Sequence, residues 1–174
     1  MPARNPSEQN VDVNSREKIL TRETLSAWRE RLRASGKRLV VTNGCFDLLH
    51  IGHVTYLESA RKLGDMLLVG LNSDASVRQL KGAGRPVNDE SDRAGVLAGL
   101  ESVSAVCIFN EKTALKFLRE VSPDVYAKGG DYTLDTLDQE ERRAVEQAGG
   151  KVVVLPVVPG KSTTELLKKA AQPE

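Results

Sequence analysis

A buried strand runs into a helix in the sequence Leu39-Val40-Val41-Thr42-Asn43-Gly44-Cys45-Phe46-Asp47-Leu48-Leu49-His50-Ile51-Gly52-His53. The first three residues are apolar, and the turn residues Asn43-Gly44 end the strand. The following helix fits residues 53–62, and Gly64 closes it. The two histidines are the only ones in the chain, and they stand three residues apart around a glycine. A strand-to-helix turn of this composition predicts a ligand-binding loop.

Short apolar runs and helical segments continue to alternate along the rest of the chain. Further strands fit residues 66–71, 103–109, 124–127 and 151–155. Helices fit a segment capped by Thr21 and residues 91–100, 113–121, 137–148 and 162–170, whereas residues 72–88 are predicted to form a polar loop. This order predicts an α/β fold, a Rossmann-like parallel sheet of about five strands with helices on both faces. Ligands bind beyond the carboxyl ends of such strands, so the loops that follow them should carry the chemistry.

The composition is that of a single soluble domain. Of 174 residues, 40% are hydrophobic and 28% are charged; residues 1–18 are predicted to be a flexible tail and residues 19–174 one domain. A net charge of +1 and 4% aromatic residues argue against a nucleic-acid partner. No apolar run approaches the roughly 20 residues of a membrane helix. Residues 1–10 lack a signal peptide's apolar core, and the two cysteines form no CxxC pair, so a cytoplasmic protein is predicted.

The histidine pair stands where a helix begins, and the first N–H groups of a helix attract phosphate. His50 and His53 are therefore predicted to point towards an anion, and Gly52 lets a phosphate approach the backbone. Two other interpretations remain open. One histidine caps the helix while the other lies at the surface, or both join Asp47 as ligands of a metal ion.

Three later loops also carry groups suited to phosphate. Lys81, Arg85 and Arg93 make the second loop and the start of its helix cationic. Paired glycines follow Lys128, which suggests a close backbone approach to a ligand. Ser162, Thr163 and Thr164 open the last predicted helix and either cap it or hold a phosphate.

Two common nucleotide-binding motifs are absent from the sequence. No GxGxxG follows the first strand, which disfavours a nicotinamide dinucleotide. The run Gly160-Lys161-Ser162-Thr163 looks like the end of a Walker A loop, but position 155 is leucine where that motif needs glycine. The sequence therefore predicts neither a dinucleotide-binding fingerprint nor a P-loop.

Several strings together resemble a known family. His50-Ile51-Gly52-His53 resembles the HxGH signature of the cytidylyltransferase-like nucleotidyltransferases, and residues 162–164 resemble their second signature. Over about residues 36–169 the chain is most similar to the adenylyltransferase domains of bacterial ADP-heptose synthases. The supporting strings are residues 42–50, Asn72-Ser73-Asp74-Ala75-Ser76, Leu80-Lys81-Gly82, Arg85-Pro86-Val87-Asn88 and Lys128-Gly129-Gly130-Asp131-Tyr132. Several relatives carry an arginine shortly before the second signature, where this chain has Lys161.

The resemblance implies transfer of AMP from ATP to D-glycero-β-D-manno-heptose 1-phosphate, with pyrophosphate as the second product, for the inner core of lipopolysaccharide. It implies catalytic roles for His50, His53, Lys81 and Arg93. It implies that the sugar phosphate is held by Asp47, Lys81 and Arg85. It implies nucleotide contacts from Asn43, Gly44, Phe46, His50, Gly52, His53, Arg93, Lys128, Gly130, Asp131, Ser162, Thr163 and Thr164. Mg²⁺ is expected on the phosphates of ATP, with no direct ligand from the protein.

Two other functions remain open at this stage. The same signatures serve cytidylyltransferases that act on polyol or amino-alcohol phosphates, and a non-catalytic nucleotide-binding module is the alternative outside enzymes. A homo-oligomer is compatible with the family. Many relatives fuse this domain behind a sugar kinase, and 174 residues are too few for both, so a separate heptose kinase is expected in the pathway.

Overall fold

Six parallel strands form one sheet in this computed structural model, which describes residues 15–130, 132–156, 163 and 167. The strands are β1 (Ile19–Leu20), β2 (Leu39–Gly44), β3 (Met66–Asn72), β4 (Ala105–Phe109), β5 (Val125–Gly129) and β6 (Lys151–Leu155). They lie in the order β1-β4-β3-β2-β5-β6, and each neighbouring pair is parallel. The predicted α/β parallel sheet is confirmed, with one strand more than expected among these residues.

Helices cover the sheet and connect its strands. They are α1 (Arg22–Ala34), α2 (Ile51–Arg61), α3 (Asp74–Lys81), α4 (Glu90–Ala98), α5 (Leu115–Val121) and α6 (Gln139–Gln147), and Ser15–Lys18 forms a 3₁₀ turn. The side chain of Thr21 caps α1 as predicted, accepting a hydrogen bond from the N–H of Thr24. Of the helix predicted over residues 162–170, the structure describes only Thr163 and Leu167, and both are helical. Within the described residues, no helix is both long and apolar enough to cross a bilayer.

Two elements differ from the sequence prediction. The stretch predicted to be a polar loop contains α3, in which only Ser76 and Val77 are buried, so there is little apolar periodicity to reveal it. Strand β1 has two residues, too few to show an alternating pattern. Lys18 donates a hydrogen bond from Nζ to the carbonyl of Leu100 (3.1 Å). Residues 1–14 lie outside the described residues, so the tail and the domain boundary stay predictions.

The core consists of two layers, one on each face of the sheet. Successive side chains of a strand point to opposite faces. Val40 accordingly packs into the layer that contains Leu57 and Leu97, whereas Leu39 and Val41 pack into the opposite layer. Burial on both faces explains why β2 reads as a continuous apolar run.

The order in which strands are added to the sheet reverses at β2, and this reversal determines where a ligand-binding crevice can form. From β2 the chain adds β3 and β4 on one side, and it later adds β5 and β6 on the other. Helices that leave neighbouring strands on opposite sides open a crevice beyond the carboxyl ends of those strands. In this sheet the crevice lies between the ends of β2 and β5.

Candidate active site

A cavity of about 580 Å³ opens at the carboxyl ends of β2 and β5. Its lining includes these residues predicted from the sequence: Asn43, Gly44, Phe46, Asp47, His50, Gly52, His53, Lys81, Lys128 and Thr163. Arg85, Arg93 and Gly130 are not part of the lining, and Asp131, Ser162 and Thr164 lie outside the described residues. The fold therefore brings together most of the described residues that the sequence indicated.

The histidine pair forms one wall of this cavity. His50 is the N-cap residue of α2, but its side chain makes no capping hydrogen bond. The His50 and His53 rings stack with their centroids 3.9 Å apart, and the ring of Phe46 lies 5.3 Å from that of His53. This geometry argues against the interpretation in which one histidine caps the helix with its side chain. It presents both imidazoles beside the N–H groups that begin α2.

His53 is held in its neutral form. Its pKa is lowered from the ordinary 6.5 to about 4, chiefly by burial and also by the electrostatic influence of His50 and Lys81. Its Nδ1 atom is buried and has no hydrogen-bond partner among the described residues. At pH 7 the His53 ring therefore carries one N–H donor and no net charge.

We expect this lowered pKa to make folding sensitive to mild acid. A histidine that is neutral in the folded protein stabilises it fully above the unfolded-state pKa, and the stabilisation is lost as the pH falls from 6.5 towards 4. Urea unfolding of wild type and of His53→Asn at pH 7 and pH 5 measures the effect. Wild type should lose more free energy of unfolding over this interval than the variant, and equal losses would contradict the prediction.

A buried ion pair joins the first and second loops. Asp47 is 3% exposed, and its Oδ2 lies 2.7 Å from Nε of Arg85. Its Oδ1 accepts hydrogen bonds from the N–H groups of Val87 (2.7 Å) and Asn88 (3.3 Å). Asp47 thus fixes the second loop against the first. The contacts of Asp47 and Arg85 with a sugar phosphate stay predictions, since these two side chains form an ion pair with each other.

Arg93 lies outside the cavity lining, and its predicted contact with the nucleotide stays a prediction. Its side chain is fully buried and donates to the carbonyl oxygens of Asn88 (3.0 Å), Cys45 (2.5 Å) and Asn72 (2.9 Å) and to the carboxylate of Asp74 (2.7 Å). These contacts occupy four of the five donors of a guanidinium group. Arg93 therefore holds the loops after β2 and β3 in place, because its N–H groups donate to carbonyl oxygens in both loops. It does not line the cavity.

The opposite wall carries a hydrogen-bonded group around Asn43. Its Oδ1 accepts a hydrogen bond from Nζ of Lys128 (3.0 Å) and lies 2.6 Å from the hydroxyl of Tyr126. That hydroxyl also donates to Oε2 of Glu141 (2.8 Å), and Nζ of Lys128 lies 3.8 Å from the same oxygen. Burial lowers the pKa of Lys128, and the charge of Glu141 acts to raise it.

Close packing against Tyr56 explains why the residue after Lys128 is glycine. Tyr56 lies against it and joins the ends of two strands, since its hydroxyl is 2.7 Å from that of Thr42 and donates to the carbonyl of Ala127 (3.0 Å). A Cβ atom on Gly129 would lie 2.6 Å from the Tyr56 ring. Gly130 adopts φ +119°, which favours glycine. The paired glycines thus place β5 close to α2 and turn the chain away at its end.

Sequence reasoning assigned no role to four aromatic and acidic residues in or next to the cavity lining, namely Tyr56, Tyr126, Tyr132 and Glu141. One signal for Glu141 was present. Leu137, Glu141 and Val145 are spaced by four residues, so the carboxylate lies on the apolar stripe of α6, and all three are buried. A buried carboxylate requires a hydrogen-bonding or cationic partner, so its place on an apolar stripe could have identified Glu141 as a candidate for a buried ion pair.

The metal interpretation of the histidines has no support in this part of the chain. Within the described residues, no group of three or more His, Cys, Asp or Glu side chains could hold a metal ion. Asp47, which would have to complete the set, forms an ion pair with Arg85 and accepts hydrogen bonds from two backbone N–H groups. The donor set therefore does not fit a metal ion bound by the protein alone.

Comparisons with known proteins agree with this geometry. A cytidylyltransferase-like family model matches residues 41–169. The bifunctional protein HldE of Trichlorobacter lovleyi is 48% identical over 159 residues, which cover 91% of this chain and 32% of that protein. HldE of Methylobacillus flagellatus is 51% identical over 155 residues, with 89% and 31% covered. The chain thus spans about a third of the length of these curated relatives.

Two solved structures are similar as well. A lipopolysaccharide core biosynthesis protein from Thermoplasma volcanium is 30% identical, with a TM-score of 0.58 over 71% of this chain and 98% of that one. A pantoate–β-alanine ligase from Francisella tularensis is 13% identical, with a TM-score of 0.55 over 86% and 75%, and shares the fold. Because the family model covers more than half of the chain and includes the histidine pair, the protein belongs to the cytidylyltransferase-like family of nucleotidyltransferases.

Proposed function

We propose that this protein transfers AMP from ATP to D-glycero-β-D-manno-heptose 1-phosphate, releasing pyrophosphate and forming an ADP-heptose. The observation that carries the chemistry is the stacked histidine pair beside the N-terminus of α2, on the cavity at the change of strand direction. The sugar assignment is supported by the sequence resemblance to ADP-heptose synthases. It is also supported by the bifunctional HldE relatives and by the lipopolysaccharide core protein of similar fold.

The reaction needs no covalent intermediate with the protein. A phosphate oxygen of the sugar 1-phosphate is already an anionic nucleophile, and it attacks the α-phosphorus of ATP in line. The new P–O bond forms as the bond to pyrophosphate breaks, and pyrophosphate leaves with that electron pair. The protein contributes positioning and charge stabilisation, as in other phosphoryl transfers.

The residues of the cavity contribute hydrogen-bond donors and positive charge to this reaction. The first N–H groups of α2 and the imidazole N–H of His53 donate to phosphate oxygens, where negative charge develops. Lys81 at the end of α3 and Lys128 at the end of β5 supply cations from opposite sides. Thr163, which also lines the cavity, donates from Oγ1 to the carbonyl of Leu48 (3.4 Å), so this residue of the second signature lies beside the first loop.

Mg²⁺ is proposed to enter as part of the substrate, bound to the phosphates of ATP, since the described residues offer no metal site of their own. We further propose that the reaction takes place in the cytoplasm. The phosphorylated sugar is proposed to come from a heptose kinase whose catalytic domain is not among these 174 residues. A homo-oligomeric state stays a prediction.

A screen of ATP and CTP against sugar 1-phosphates and polyol phosphates, followed by pyrophosphate release, tests the proposal. ATP with heptose 1-phosphate should give the highest kcat/KM, above CTP by on the order of 10²-fold or more. The reason is that polar groups of the site which hydrogen-bond to adenine are left without partners when cytosine is bound. Removal of Mg²⁺ with EDTA should abolish release. A preference for CTP with a polyol phosphate would favour the cytidylyltransferase alternative. Nucleotide binding without release for any acceptor would favour a binding module.

A further inference from the structure

Glu141 is a buried carboxylate that the proposed reaction does not use directly. It lies on α6 outside the cavity lining, and its side chain is 8% exposed. Its Oε1 accepts a hydrogen bond from the N–H of Ala114 (2.7 Å), and its Oε2 accepts one from the hydroxyl of Tyr126 (2.8 Å). Burial of a carboxylate is costly unless it is bonded and paired with a cation. Within the part of the chain that the structure describes, the cation nearest to Glu141 is Lys128, at 3.8 Å.

The contacts continue from Glu141 to the cavity. The Tyr126 hydroxyl lies between Glu141 and Asn43, 2.8 Å from one oxygen and 2.6 Å from the other. A phenol has one proton and donates to one oxygen at a time. Lys128 supplies a second donor to Asn43 at 3.0 Å. Asn43 and Lys128 line the cavity, so a helix outside it is joined to two of its polar groups.

The surroundings of Lys128 decide whether it is charged. Among the described residues, the groups that face it are Asn43 on β2, Tyr126 on β5, Tyr132 after β5, Glu141 on α6 and Asp138 at the N-cap of α6. Its Nζ lies 5.2 Å and 5.4 Å from the centroids of the Tyr126 and Tyr132 rings. Burial lowers the pKa of Lys128, whereas Glu141 and then Asp138 raise it. The nearest compensating charge is that of Glu141.

We propose that Glu141 is a positioning residue which, through Tyr126 and Asn43, holds Lys128 as a cation directed at an anionic phosphate oxygen of the substrate. This inference rests on the proposed transferase function. Glu141 does not touch the substrate. It determines the charge and the position of a group that does.

Glu141→Gln tests the proposal, because glutamine keeps the size of the side chain and removes its charge. Its amide oxygen can still accept from the N–H of Ala114, while its NH2 group donates to the Tyr126 hydroxyl, which is then left to donate to Asn43. The matched control is Glu140→Gln, an exposed residue in the same first turn of α6. We expect kcat/KM to fall roughly 10- to 100-fold in Glu141→Gln, the range for a residue that orients a ligand-binding group. The control should stay near wild type. The alkaline limb of the pH profile of kcat/KM should move to lower pH only in Glu141→Gln, which a merely structural role would not cause.

A double-mutant cycle tests whether the effect passes through Lys128. Lys128→Met should abolish the further effect of Glu141→Gln, since the cation that Glu141 holds is absent. Additive losses would overturn the proposal. Tyr126→Phe removes the hydroxyl between Glu141 and Asn43 without a change of charge. It should lower kcat/KM too, and wild-type activity in this variant would overturn the proposal even if Glu141→Gln fails to fold.

A measurement without substrate separates this proposal from the proposed function. NMR titration of protein labelled with ¹³C-lysine follows Lys128, whose signal is assigned by its loss in Lys128→Met. The pKa of Lys128 should be lower in Glu141→Gln than in wild type and unchanged in Glu140→Gln. Equal values in all three proteins would overturn the proposal. If wild type releases no pyrophosphate with any acceptor, the proposed function fails while the titration still tests the role of Glu141.

Discussion

Replacement of His53 by alanine should lower kcat by about 10²–10³-fold, because removal of one preorganised donor to a developing oxyanion usually has an effect of this size. The His53 ring stacks on that of His50 and lies on the cavity. Its pKa of about 4 keeps the ring neutral at pH 7, so the loss concerns a hydrogen-bond donor and not a charge. The measurement is pyrophosphate release with ATP and heptose 1-phosphate at saturating concentrations.

The matched control for this substitution is Glu58→Ala, an exposed residue on the same helix. The control should keep wild-type turnover, and circular dichroism should show that both variants are folded. If His53→Ala turned over at the wild-type rate, His53 would have no part in stabilising the transition state. A rise in KM for ATP with unchanged kcat would also contradict the prediction, since it would show an equal contribution to ground state and transition state.

Replacement of Arg93 by methionine should destabilise the protein by about 3–5 kcal/mol, the usual cost of removing one partner of a buried, hydrogen-bonded charge. Methionine fills much of the same volume but leaves the carbonyls of Cys45, Asn72 and Asn88 without their donor. Activity should fall as well, because the loops after β2 and β3 lose their common tie. Urea unfolding measures the stability, and pyrophosphate release measures the activity.

The control for Arg93 is Arg78→Met on α3, whose side chain is exposed. It should change the free energy of unfolding by less than about 0.5 kcal/mol, as is usual for surface substitutions. Arg93→Lys should not restore stability, since one ammonium cannot reach carbonyls in three directions. If Arg93→Met kept wild-type stability and raised only the KM for ATP, the phosphate-binding role implied by the family resemblance would be right after all.

These two predictions show how differently the candidate residues could be assigned from sequence. His50 and His53 share one strand-to-helix turn, so their spacing alone placed both beside a helix N-terminus. Arg93 is one of several cations near the second loop, and its sequence neighbours do not reveal its partners. Cys45 lies 48 residues away and Asn72 21 residues away, and the packing of β3 beside β2 brings them to it. The contacts of Arg93 could therefore not be read from the sequence, and its predicted role in binding the nucleotide stays a prediction.

The fold was predictable to the extent that its signals are local. Apolar runs, caps and glycines marked β2 to β6 and most of the helices within a few residues, and the alternation of strands and helices implied a parallel sheet. Helix α3 and strand β1 were missed because one is polar and the other has two residues. The carboxyl ends of the strands carried the site because parallel strands end at the same edge.

The sequence by itself thus determined the fold class, the edge of the sheet at which the candidate site lies and the histidine pair, since each follows from residues close together in the chain. Only the tertiary structure decided which charged groups remain for a substrate. Arg93 and Arg85 are paired with carboxylates of the protein and lie outside the cavity lining, whereas Lys81 and Lys128 belong to it. It also revealed Glu141, which lies 15 residues from Tyr126 and reaches Lys128 across the boundary between α6 and the sheet. The physical reason is that burial, which selects the partner of each charge, depends on packing between elements that are distant in sequence.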